Sequence, residues 1–143
     1  MFVGPTAPRP GQLPVETTGF VGRVAELARL NGLLARARLI TVTGPGGVGK
    51  TRLALRAAAA AAGRFSDGVC LVELSALHEP GLLADAVADA LGLPAPSRGA
   101  RLEEVLARLG GRHLLLILDT CEHLIDACAT FAESVVARAP RVT

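Results

Sequence analysis

Residues 44 to 51 read "GPGGVGKT" and satisfy the pattern G-x-x-x-x-G-K-[ST] in full. That pattern suits a polyphosphate. Gly44, Gly46, Gly47 and Gly49 let the backbone curl with few side chains in the way, so consecutive N–H groups can point inward as an anion nest. Pro45 and Val48 complete the loop. Lys50 is placed to reach β- and γ-phosphates, and the Thr51 hydroxyl to ligate Mg²⁺. With Arg52, the next residue along, Gly44 to Thr51 form the candidate nucleotide contacts. Fifteen residues are Lys or Arg, and Lys50 is the single lysine among them. A compact ammonium on a flexible stem fits inside a phosphate loop where a planar guanidinium does not.

Phosphate-bound Mg²⁺ keeps several waters and takes few protein ligands, so a carboxylate is expected near the loop. "LLLILDTCEH", residues 114 to 123, supplies one: five apolar side chains and then Asp119. In open α/β sheets, ligands lie outside the carboxyl ends of the strands. Asp119 is therefore read as the metal-side partner of Thr51, its plain alternative being a cap on the following helix. Hydrolysis would further need a group to orient water. Thr120, directly after Asp119, cannot act as a base at neutral pH, which leaves Glu122 and the strand-end Glu73 beside Lys50 as catalytic candidates. Each has a structural alternative, Glu122 at a helix start and Glu73 where a strand surfaces. Slow hydrolysis at most is expected.

The loop works only between a strand and a helix, and the flanking residues provide both. "RLITVT", ending at Thr43, is short, apolar and β-branched, while Lys50 to about Ala62 is Ala-rich and helical. Before them, Gly22 to Ala37 places Val24, Leu27, Leu30 and Leu34 at helical spacing. After them, "GVCLVELS" predicts a second strand, and Pro80 opens a helix carrying Leu83, Val87 and Leu91. "GLPAPSRG" is a loop; Leu102, Val105, Leu106 and Leu109 predict a short helix ended by Gly110 and Gly111 in a left-handed cap. The stretch before Asp119 is a third strand, followed by a helix with Leu124, Cys128, Phe131 and Val135 on one face and a stop near Pro140. Alternating strands and helices imply an α/β fold with a mainly parallel sheet covered on both faces.

Composition agrees with a single folded unit. The chain has 143 residues, half of them hydrophobic and a fifth charged, with a net charge of +2. That length buries roughly two thirds of the unfolded surface in one core. The charge is too small and scattered for a nucleic-acid or membrane footprint, and no run reaches transmembrane length. Residues 1 to 18 contain four prolines and no unbroken apolar region, so they read as an extended lead-in rather than a signal peptide. A cytoplasmic location follows as the expectation. Cys70, Cys121 and Cys128 form no C-x-x-C pair and read as free thiols, and His113 and His123 lack metal-ligand companions.

"FVGR" at 20 to 23, "TVTGPGGVGKTRLAL" at 41 to 55, "DGVCLVELSAL" at 67 to 77 and "LLLILDTCEHL" at 114 to 124, in that order, resemble the nucleotide-binding domain of STAND ATPases. More narrowly, the chain resembles the NB-ARC-like ATPase of AfsR-type and large LuxR-type bacterial transcriptional regulators, over about residues 13 to 143. The resemblance implies a three-layer P-loop NTPase and an ATP/ADP switch with Mg²⁺, coupled to effector and sensor domains in a full-length relative, with nucleotide-dependent self-association. It assigns adenine recognition to the segment containing Val21 and Arg23. Two departures stand out. Thr120 replaces the acidic or amide residue usual after the strand-end Asp. The family also continues into a further strand, inserted between the first and third, where this sequence reaches "RVT"; residues 19 to 143 thus read as a domain truncated before its sensor strand, with both neighbours of that strand exposed. No helix-turn-helix with a basic recognition face is present, so direct DNA binding by residues 1 to 143 is not expected. Two other readings stay open: a P-loop small-molecule kinase using Arg98, Arg101 and Arg108 around an acceptor, and a remnant acting only as an interaction surface.

Overall fold

The computed structural model describes residues 22–94 and 101–143, so Val21, the Pro-rich lead-in and Arg98 lie outside the described residues. In chain order the elements are α1 (Val24–Leu34), α2 (Lys50–Ala61), β1 (Val69–Glu73), α3 (Leu83–Ala90), α4 (Arg101–Gly110), β2 (Leu115–Asp119) and α5 (Ile125–Arg138). Short 3-10 turns follow α2 and lead into α3 and α5.

β1 and β2 form a two-stranded parallel sheet with Val69 opposite Leu115 and Glu73 opposite Asp119. Successive strand residues point to opposite faces, and each face is covered. Val69 and Leu115 pack with Leu30 and Leu34 of α1 and Leu53, Ala57 and Ala58 of α2. On the other face, Cys70 and Val72 pack with Val87 of α3, Val105, Leu106 and Leu109 of α4, and Phe131 and Val135 of α5. Two helical layers thus enclose a small sheet. The alanine run of α2 has a packing reason: Ala57, Ala58 and Ala61 are buried against α1 and the sheet, where larger side chains would hold the layers apart.

The expected strand over 38–43 is not a strand. Residues 39–43 keep the alternation of one, with Ile40 and Val42 half-buried and Leu39, Thr41 and Thr43 exposed, but they join no ladder. The reason is spacing. β2 gives one edge to β1, and its other edge faces Ile40 and Val42 across an apolar cavity of about 540 Å³ whose walls include Leu116, Leu118, Phe131 and Val135. Only at the start of β2 is that second edge engaged: Thr143 N–H donates to Leu114 O at 3.0 Å, and Leu116 N–H donates to Thr143 O at 2.8 Å. Residues 39–43 are held by Ile40 and Val42, which pack against the α1–α2 core, and by Arg38, whose guanidinium donates to Val136 O at 2.9 Å and Ala139 O at 2.7 Å at the end of α5. Val136 O has no helical donor because position 140 is proline, and Ala139 O also accepts from Val142 N–H at 3.1 Å, so the cation satisfies one orphan acceptor, shares a second and faces the negative end of the helix.

Two further expectations are corrected. Val24 is 80% exposed, and the buried stripe of α1 is Leu30 and Leu34. Gly110 and Gly111 form no left-handed cap: neither has a positive φ, and Gly110 is the last residue of α4, packed so closely that an added Cβ would lie 3.3 Å from Arg138 O. Here glycine answers a close approach between helices rather than a turn.

Candidate functional site

Gly47 and Gly49 stand at φ 77° and 84°, in the left-handed region, and Gly49 is the residue from which α2 departs. No atom lies within 4 Å of a Cβ built on either, so the backbone angle, not crowding, requires glycine. α2 has no side-chain cap. Its first N–H groups and its positive dipole end therefore face the loop, a ready anion site.

Lys50 is the first residue of α2. Its ammonium donates to Gly44 O at 2.8 Å and Pro45 O at 3.2 Å, and lies 3.4 Å from a Glu122 carboxylate oxygen. Three acceptors match the three donors of an ammonium. The Glu122 carboxyl is held below the usual carboxylate range by its own backbone N–H and then by Lys50.

Thr51, one residue on, brings its hydroxyl 2.9 and 3.0 Å from the two carboxylate oxygens of Asp119. Sixty-eight residues separate them in the chain. A helix start and a strand end thus present a hydroxyl and a carboxylate to one point, a hard-oxygen pair of the kind Mg²⁺ takes while keeping its waters. The residues present fit that ion. Thr51, Asp119 and water would hold it beside Lys50, and it would supply charge neutralisation to phosphate oxygens.

The remaining candidates fall at different distances from this centre. Arg52 is exposed on the first turn of α2 and does not line the cavity that holds Lys50 and Asp119. Arg23 precedes α1, where its carbonyl accepts from Leu27 N–H, and it too lies off that cavity. Glu73 ends β1 in register with Asp119, but its exposed side chain does not line the cavity either. Glu122 is brought in, though to Lys50 rather than to an open position beyond Asp119. Arg101 is committed elsewhere, pairing with Asp85 and Asp89, each at 3.2 Å, and donating to Pro94 O. His123 is bonded at 2.6 Å to Leu77 O, and no group of three or more His, Cys, Asp or Glu among the described residues could hold a metal on its own.

Three features of the site were not read from the sequence. Thr120 sits at φ 58°, a left-handed conformation that is costly for a β-branched residue. Sequence gives no signal for it, because the strain follows from how β2 hands over to the turn at Cys121. Arg38 anchors the approach to the loop through contacts about a hundred residues away. Cys121 lies in hydrogen-bond contact with Cys128, whose thiol burial pushes up to about 11.

A family model described as AAA ATPase domain matches residues 19–142. Among curated proteins, the chain is 41% identical over 114 residues to a "Putative HTH-type transcriptional regulator" of Mycobacterium tuberculosis, covering 80% of this chain and 13% of that protein. It is 39% identical over 126 residues to an uncharacterized protein of the same species, covering 88% of this chain and 32% of that one. To the regulatory protein AfsR of Streptomyces coelicolor it is 35% identical over 129 residues, covering 78% of this chain and 13% of AfsR. The chain therefore spans from about an eighth to a third of the length of these relatives. No solved structure matches it.

Proposed function

From membership of the AAA ATPase domain family, to which this chain belongs, we propose that residues 19–143 form the ATP/ADP-binding switch domain of a STAND-type regulator. The observation that carries this reading is the meeting of Thr51 and Asp119 at 2.9 Å beside a complete phosphate loop. An Asp that merely capped a helix would have no reason to seek the hydroxyl after the loop lysine. The loop N–H groups and Lys50 bind the phosphates, and Thr51 and Asp119 hold Mg²⁺ through hydroxyl, carboxylate and water. Hydrolysis is slow at most. Thr120 offers no base, Glu73 lies off the cavity, and Glu122 is paired with Lys50.

The likeness to AfsR and to a protein named as an HTH-type regulator supports a place in transcriptional control, with effector and sensor segments outside residues 1–143 and DNA contacts made by them. A cytoplasmic setting goes with that role; among the described residues no helix is long and apolar enough to cross a membrane. A kinase reading would need arginines free to grip an acceptor, and Arg101 is not free.

The test is ligand-induced stabilisation. Mg-ATP or ADP at a hundredfold over its dissociation constant should raise stability by about 2.7 kcal/mol. Lys50→Ala should abolish the gain. No shift with either nucleotide, or an undiminished shift in the variant, would overturn the reading.

A further inference from the structure

We propose that Glu122 sets the preference of this site between nucleotides by competing with the terminal phosphate of ATP for Lys50. The inference rests on the nucleotide-binding reading above and adds to it the residue that discriminates triphosphate from diphosphate.

Lys50 is not waiting with free donors. Gly44 O at 2.8 Å and Pro45 O at 3.2 Å hold it on the loop side, and the Glu122 carboxylate at 3.4 Å holds it from the side of the β2 end. The loop N–H nest favours the phosphate nearest the helix start, which both ADP and ATP possess. The extra phosphate of ATP is held by the lysine and by the metal-side residues, and here those are Thr51 and Asp119. Glu122 follows Asp119 by three residues and lines the same cavity as Asp119 and Lys50. A carboxylate standing there disfavours the ligand bringing more negative charge to that end. It also withholds one of the three donors that the added phosphate would use.

The geometry does not fit Glu122 as a group that orients water. A carboxylate paired with the lysine that binds phosphate is a weaker base and is turned toward the loop. Its effect is on binding. Because the Glu122 side chain is 62% exposed, solvent and salt weaken that effect without removing it. One unit charge a few ångströms from the terminal phosphate in water-like surroundings changes affinity by about fourfold.

Lys50 is the chain's single lysine, which gives a readout needing no nucleotide. An amine-reactive reagent can label Lys50 and the N-terminal amine only, and peptide mass spectrometry separates the two. In nucleotide-free protein, Glu122→Ala should label at Lys50 roughly two- to fourfold faster than the unsubstituted chain, because an ion-pair partner is gone. Equal rates would show that the contact does not hold the lysine and would overturn the proposal. Calorimetric titration with ATP and ADP, in chelator to remove divalent cations, then reads the preference. Glu122→Gln should raise affinity for ATP about fourfold and for ADP less than twofold, with the difference shrinking at high salt. An unchanged ratio, or one moved toward ADP, would overturn the role of Glu122 while leaving nucleotide binding intact. Failure of the unsubstituted chain to bind either nucleotide removes the reading beneath the proposal and the proposal with it, whatever the labelling shows.

Discussion

Replacing Thr51 with Val removes one hydroxyl and keeps the shape. That hydroxyl donates the hydrogen bond shared between the two Asp119 oxygens at 2.9 and 3.0 Å, a bond to a charged acceptor in a half-buried place. Such bonds contribute about 1.5–3 kcal/mol, and access of water to Asp119 puts this one near the lower end, ~1.5 kcal/mol. Helix propensities of Thr and Val are close, so the change at the start of α2 adds little. For a domain of this size that loss lowers the melting temperature by roughly 5 °C. Thr51→Ser keeps the hydroxyl and should stay near the parent. The measurement is denaturant unfolding of all three proteins, with a shifted midpoint and an unchanged slope expected for Thr51→Val. In nucleotide titrations, the Mg²⁺-dependent part of ATP affinity should vanish in Thr51→Val and persist in Thr51→Ser. If Thr51→Val is as stable as the parent, or if Thr51→Ser loses as much, the hydroxyl is not what joins α2 to β2 and the metal-site reading fails.

Thr120→Asn should stabilise the protein by about 0.5–1 kcal/mol, since Asn tolerates the left-handed region where Thr120 stands at φ 58°; Thr120→Gly gives less, because glycine also loses more chain entropy. Equilibrium unfolding checks both. Arg38→Met, which removes the donors to Val136 O and Ala139 O, should cost about 1.5–2 kcal/mol and raise hydrogen exchange at the end of α5, where Ala139 N–H donates to Val135 O, whereas Arg38→Lys should lose about half as much. Burial pushes the Cys70 thiol, opposed slightly by Arg112, and the Cys128 thiol each up to about 11, against 9.0 for an unfolded thiol. With the folded value raised, their contribution is full below pH 9 and is lost as pH climbs toward 11. Stability followed across that window should fall in the parent, and the fall should flatten when both thiols are replaced by Ala.

The loop and its context were legible because local chemistry dictates them: glycines where φ turns positive, a lysine at a helix start, an apolar run ending in Asp119. β1, β2 and the helices followed from apolar spacing, and the layered α/β arrangement from their order. Residues 38–43 read as a strand and form none, because apolar alternation specifies a face to bury, while a ladder needs a neighbour whose distance is set by the whole sheet. Gly110 was misread because a glycine serving close helix packing looks, in sequence, like one ending a helix. The ion pair between Lys50 and Glu122 was out of reach for a related reason: seventy-two positions separate them, and only the turn after Asp119 decides which way Glu122 faces. Arg38 looked like one surface arginine among fourteen.

The reach of Arg38 has a kinetic consequence. Its two acceptors lie 98 and 101 residues further along the chain. Contacts of such separation form late, after the loop-closure entropy between their ends has been met. Ile40 and Val42 pack on α1 and α2, which are near in the chain, yet Arg38 reaches its acceptors only when α5 has been made and docked. During synthesis the glycine-rich stretch therefore leaves the ribosome well before the segment leading into it is tied to α5. Docking of α5 is then the step that ties the approach to the phosphate loop to the far side of the sheet.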